Sequence, residues 1–168
     1  SNGFLINESF FAKCAELGIK PEIALSFDGT DGQHAWLRNV PAAEQHLEKA
    51  LQLCQKHGFS TFVEYCLHKG NAHCLRDSIN YLDKHGVGSF KLSGLMVKGE
   101  GEALAELALS NEELWQTIID YLPSYKVDQP KMRLMLQGVV LHNDKYTITQ
   151  CKNVKEADFA NYCVCGHA

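Results

Sequence analysis

The sequence predicts an α/β fold: a parallel sheet curled into a barrel or part-barrel, with helices outside and a polar lumen. One observation is a threefold repeat of amphipathic helix, glycine stop and short apolar strand, the rhythm of right-handed α/β units. The other is side-chain parity, because successive strand residues face opposite sides of a sheet. In all three strands one parity is apolar and the other polar. A doubly wound open sheet, covered on both faces, reads instead as nearly continuous Val, Ile and Leu.

Taken in order, Asn7 to Leu17 forms a helix that stops at Gly18 and leads to the strand Ile23–Asp28. Ala43 to His57 stops at Gly58 and leads to the strand Thr61–Cys66; Asn71 to His85 stops at Gly86 and leads to Ser89–Ser93. Each glycine stands where the chain turns left-handed at a helix end, and Lys-His precedes two of them, suited to the negative helix terminus. Asn7 and Asn71 are expected N-caps. Ser110-Asn-Glu-Glu113 is a capping box for a fourth helix, expected to end near Leu122, before Pro123. Thereafter the rhythm fades into short strands at Met132–Gln137, Val139–His142 and Lys145–Thr149, with a hairpin turn at Asn143-Asp144. We divide the chain at residue 137, with an irregular cysteine-bearing segment over 138–168.

Composition narrows the class. The chain has 168 residues, 45% hydrophobic and 21% charged, with 16 Lys and Arg against 20 Asp and Glu, for a net charge of −4. That is a globular composition with length enough for a core without staples. It lacks the basic stripe of a duplex nucleic-acid binder and any apolar run long enough to span a bilayer. Seven cysteines at 14, 54, 66, 74, 151, 163 and 165 are odd in number and scattered, unlike a secreted disulfide framework, so a reducing cytoplasm is expected. The chain opens Ser-Asn-Gly-Phe-Leu and stops just after Cys165-Gly, and we expect excision from something longer.

In parallel α/β folds the site forms at the carboxyl ends of the strands. On the polar parity that mouth holds Ser26, Asp28, Glu64, Cys66, His68, Lys91 and Ser93. The connection from Asp28 to Pro41 is long for its kind and carries Trp36 and Arg38, as loops with functional roles do; the alternative is that Asp28-Gly29 only turns the chain. Glu64 and Lys91 share parity on adjacent strands and are expected to pair, as a structural contact or as a proton relay. Lys98-Gly-Glu-Gly101 can approach a ligand by its backbone but lacks the spacing of a phosphate loop. Cys14, Cys54 and Cys74 read as small core hydrophobes, and Cys66 as a lumen thiol, buried or reactive. Cys151, Cys163, Cys165 and His167 offer thiolate and imidazole ligands for zinc or an iron–sulfur cluster, in a site whose other ligands lie beyond Ala168.

Several of these residues resemble one family. Ser1-Asn-Gly-Phe-Leu is similar to the Thr-Asn-Gly-x-Leu segment that closes the third barrel strand of radical S-adenosylmethionine (AdoMet) enzymes with a SPASM extension, of the anaerobic sulfatase-maturase type. Ala24-Leu-Ser-Phe-Asp-Gly29 resembles the Ser-Leu-Asp-Gly signature of the fourth strand. Trp36-Leu-Arg-Asn-Val-Pro41 resembles the Arg-Gly-Val-Pro-Gly element after it, with Asn39 and Ala42 in place of glycines. Asn71, Leu95-Met-Val-Lys-Gly99 and Cys165-Gly166 also match.

The resemblance implies the C-terminal half of a (β/α)6 partial TIM barrel, followed by short strands and the start of a truncated SPASM region. It implies that Ser26 contacts the AdoMet ribose, that Asp28 sits at the same mouth, and that Arg38 approaches the methionyl carboxylate. Leu95 and Met96 would lie along the adenine, and Cys151, Cys163 and Cys165 would ligate an auxiliary cluster. Glu64, His68 and Lys91 are the substrate-side lumen residues on parity alone. The Cys-x3-Cys-x2-Cys that holds the family's [4Fe–4S] cluster is absent from residues 1–168, so the parent would be the enzyme, acting on a peptide or protein side chain, and this chain alone would be inactive. The exposed edges of a half barrel make self-association an expectation. Two other readings stay open: a non-catalytic α/β binding domain, and a different barrel enzyme using Asp28, His68 and Lys91 for acid–base chemistry.

Overall fold

Three glycines set the rhythm of the chain. Gly18, Gly58 and Gly86 all have left-handed backbone, with φ of 63°, 68° and 70°, and each ends a helix and releases the chain toward the next strand. The computed structural model describes residues 1–137, and for 139–142 and 145–147 the backbone pairing. The order is α1 (Glu8–Glu16), β1 (Ile23–Phe27), α2 (Gln33–Arg38), α3 (Ala43–Lys56), β2 (Thr61–Leu67), α4 (Leu75–Lys84), β3 (Ser89–Gly94), α5 (Asn111–Asp128), β4 (Arg133–Leu136), β5 (Val139–His142) and β6 (Lys145–Thr147). Short 3-10 segments at Ala72–Cys74 and Gly99–Leu107 precede α4 and α5.

The six strands lie side by side in sequence order. β1 to β4 are parallel, and β5 and β6 extend the sheet antiparallel. Consecutive parallel strands joined by right-handed crossovers put every helix on one face, whereas a doubly wound sheet needs a reversal of strand order. Burial agrees: Leu25, Phe27, Val63, Tyr65, Phe90 and Leu92 join Leu47, Leu51, Ile79, Leu82 and Ile118 of the helices in one core. On the other face Ser26, Cys66, Lys91 and Ser93 are partly exposed and Glu64 is exposed. The architecture is therefore the singly wound part-barrel that parity predicts.

Ser1 marks the outer edge of β1. Its N–H donates to the Ala24 carbonyl (3.0 Å) and its carbonyl accepts from the Ser26 N–H (2.8 Å), the bonding of a parallel bridge opposite Leu25.

The helix starts divide. The Asn7 side chain caps α1 through the Phe10 N–H, and Ser110 and Glu113 form the expected reciprocal box. Asn71 precedes the 3-10 turn but caps nothing, because its side chain is drawn into the strand ends described below. The expected stop before Pro123 is wrong: α5 continues through it to Asp128. A helical proline removes one N–H and crowds the carbonyl four residues back. Pro123 and Ile119 are both exposed, so water can take the freed Ile119 carbonyl while Tyr121 and Tyr125 hold the other side in the core.

Candidate functional site

The strand ends are tied together by two buried polar side chains, Asp28 and Asn71, both 0% exposed. Asn71 Nδ2 donates to the carbonyls of Asp28 (2.8 Å) and Cys66 (2.8 Å), and its Oδ1 accepts from the His68 N–H (2.8 Å). One carboxamide thus stitches the end of β1 to the end of β2, satisfying backbone groups that leave the ladder there. Gly29 turns the chain beside it with φ of 128°, and a Cβ at that position would stand 2.9 Å from that of Gln33 and 3.3 Å from the Tyr65 hydroxyl. The Asp28-Gly29 pair is therefore a turn under close packing as well as an anchor.

The long connection after β1 folds into α2, a helix the sequence reading did not anticipate. Its two turns place His34 and Arg38 one above the other, at i and i+4. Both bind Asp28. Arg38 Nε and Nη2 donate to the two carboxylate oxygens at 2.6 and 3.1 Å, and His34 Nδ1 donates to Oδ2 at 3.0 Å. Asp28 is thereby held through both carboxylate oxygens and buried. The Arg38 side chain stays 37% exposed, and its Nη1 edge makes no bond to Asp28, leaving two donors at the mouth. His34 was missed because nothing marks it until α2 is known to be helical.

Cys66 and His68 face the same mouth. Burial, with the Asp28 charge adding to it, pushes the Cys66 thiol up to about 11, so at neutral pH it is a protonated thiol. Burial likewise holds His68 below the ordinary histidine value, against the opposing pull of Asp28. Its Nδ1 accepts from the Gly70 N–H at 3.1 Å, which puts the ring proton on Nε2, and that atom is buried without a partner among the described residues. The exposed Trp36 indole stands 6.1 Å from the His68 ring. Leu95 follows β3, its N–H donating to the Leu67 carbonyl at 3.0 Å, and brings the exposed Met96 to the same rim.

Ser26, Asp28, Arg38, Cys66, His68, Leu95 and Met96 thus gather at or beside the carboxyl ends of β1 to β3. Glu64 and Lys91 stand in register with Ser26 on the next two strands, directly paired with their charges 3.4 Å apart. Lys98 to Gly101 is a partly exposed turn into the second 3-10 segment. Cys14, Cys54 and Cys74 are buried as expected. Cys151, Cys163 and Cys165 lie outside the described residues. Among the described residues no three cysteines converge on a point, so an iron–sulfur cluster does not fit them. Among the described residues, the remaining donors of Arg38 and the unpartnered Nε2 of His68, at these strand ends, fit a ligand that carries a carboxylate and hydroxyls, as AdoMet does.

No protein-family model and no curated protein matches the sequence. Among solved structures, the chain is similar to native anSMEcpe with bound AdoMet, with a TM-score of 0.58 over 97% of this chain and 55% of that one, at 13% identity. The fold is thus that of a partial α/β barrel, and the chain spans about half the length of that AdoMet-bound protein. Among the described residues no helix is long and apolar enough to cross a membrane.

Proposed function

We propose that this chain is the second half of a radical AdoMet enzyme's barrel and supplies the cofactor-facing and substrate-facing wall of its mouth. The observation that carries the reading is Arg38, which grips the buried Asp28 with two donors at the end of β1 while its side chain stays partly exposed. Ser26 takes the ribose, Arg38 the methionyl carboxylate, and Leu95 and Met96 the adenine. Bound AdoMet supplies the radical chemistry once reduced by a [4Fe–4S] cluster, whose Cys-x3-Cys-x2-Cys must come from polypeptide outside residues 1–168.

His68, Glu64 and Lys91 face the substrate, a peptide or protein side chain. Residues 138–168 link to an auxiliary-cluster region that Cys151, Cys163 and Cys165 help ligate. The whole protein works in a reducing, cytoplasmic setting, and the isolated half associates through its sheet edges. An acid–base enzyme built on Asp28, His68 and Lys91 has less support, because Asp28 is buried and held by Arg38 and His34 and Lys91 is paired with Glu64.

Saturation-transfer NMR between AdoMet and this chain detects the weak binding expected of a half site. Transfer to the ribose protons that weakens in Ser26→Ala and Arg38→Ala is expected. Transfer that is absent, or unchanged in both variants, overturns the assignment.

A further inference from the structure

A second constellation lies apart from the Asp28–Arg38 knot. Asp31, on the turn between Gly29 and α2, and His73 and Cys74, on the 3-10 turn before α4, bring a carboxylate oxygen, an imidazole nitrogen and a sulfur within 4.8 Å of one another. His73 Nε2 and Cys74 Sγ are already 3.1 Å apart. Ligand atoms around a tetrahedral zinc-class ion stand roughly 3.3–3.8 Å from each other, given metal–ligand lengths of about 2.0–2.3 Å. Small side-chain rotations therefore close the set.

The burial pattern suits such a site. Cys74 is 1% exposed while Asp31 and His73 are exposed, giving a sheltered thiol with an open side for solvent. Among the described residues Asp31 has no other hydrogen bond or ion pair, and its backbone is left-handed, with φ of 56°. Burial, with the Asp31 and Asp77 charges adding to it, raises the Cys74 thiol against the opposing pull of the Thr30 hydroxyl, which is buried and has no conventional hydrogen-bond partner among the described residues. A hydroxyl donating to a metal-bound thiolate is the outer-shell support such sites use. Asp31 also borders a cleft of about 230 Å³ that Glu44 and Glu48 line, an acidic approach for a cation.

From this arrangement we infer that Asp31, His73 and Cys74 bind a thiophilic divalent cation of the zinc class, with water completing the tetrahedron. Binding forms an S–metal bond and releases the thiol proton to solvent. The ion ties the Gly29–Gly32 turn, which follows directly on Asp28, to the start of α4. This site is independent of AdoMet binding.

The test uses the 168-residue chain with Cys151, Cys163 and Cys165 changed to Ser, so that the C-terminal thiols do not compete, titrated anaerobically with Co2+. One equivalent should give tetrahedral visible bands and a near-ultraviolet thiolate charge-transfer band, both displaced by Zn2+. Cys74→Ser should abolish the charge-transfer band. His73→Ala and Asp31→Asn, both at exposed positions that leave the core intact, should each weaken Co2+ binding at least tenfold. No Co2+ spectrum from the folded chain overturns the proposal. So does a spectrum and affinity unchanged in His73→Ala and Asp31→Asn, whether or not Cys74→Ser folds.

Discussion

Two ion pairs look inward from the same sheet and answer to different physics. Asp28–Arg38 sits at the strand ends, where the carboxylate is fully buried and also held by His34. Glu64–Lys91 spans β2 and β3, with side chains 49% and 28% exposed. A buried carboxylate needs its partners, because an unpaired charge out of water is costly. An exposed pair in solvent contributes little. Similar chemistry thus makes a positioning device at one place and a surface contact at the other.

The sharpest way to break that contrast is Arg38→Ala. It leaves Asp28 buried with only His34, and we expect a loss of about 2 kcal/mol, below the cost of breaking a fully buried pair because Arg38 is partly solvated. Urea unfolding followed by circular dichroism measures it. Arg38→Lys should not restore the loss, since an ammonium cannot reproduce the two-pronged contact. Full stability in either variant would make the knot no different from the exposed pair.

His68 sharpens the comparison, sharing the knot's burial with only the Gly70 N–H as a hydrogen-bond partner among the described residues. Its imidazole is held below the ordinary value of 6.5 chiefly by burial. The folded state therefore binds protons less readily than the unfolded state, so its contribution to stability is full above about pH 6.5 and is lost as pH falls from there through the lower folded-state value. Chemical denaturation from about pH 7.5 down to about pH 5 should show this decline, and His68→Gln should flatten it. The carboxylates Glu8, Glu113 and Asp128, held low by their hydrogen bonds, weaken the fold only in more acid solution. A decline identical in His68→Gln would place the titrating group elsewhere.

The sequence showed the two regions unequally. Parity along three strands was enough to put Glu64 opposite Lys91, because a strand's geometry is the same wherever it runs. Glycines at 18, 58 and 86 located the helix ends because a left-handed residue has few substitutes. The knot was half visible: Asp28 and Arg38 stood out, but their mutual bond and His34 depend on α2, a two-turn helix inside what read as a loop. Asn39, in a place where the resembled family has glycine, ends that helix with φ of 51°, a conformation asparagine tolerates better than most residues. Ala42 has negative φ and needs no glycine. Asn71 was read as a cap, because no local pattern distinguishes an asparagine that caps its own helix from one that bonds a strand end 43 residues away.

The smallest effect belongs to the exposed pair. Lys91→Met keeps the length of the side chain and its packing along the sheet but removes the charge. Glu64 is left about half exposed, so its carboxylate keeps its water and incurs no burial penalty. The register-paired geometry and the 3.4 Å separation suggest strength, yet pairs this open are worth at most about 0.5–1 kcal/mol and weaken with salt. We expect Lys91→Met to change urea stability by less than about 0.5 kcal/mol, a difference that shrinks further in 0.5 M salt, about five times the ionic strength at which screening already acts within about 10 Å. A loss approaching that of Arg38→Ala, persisting in salt, would mean that the lumen face is shielded from water as the knot is, and that burial does not separate the two pairs.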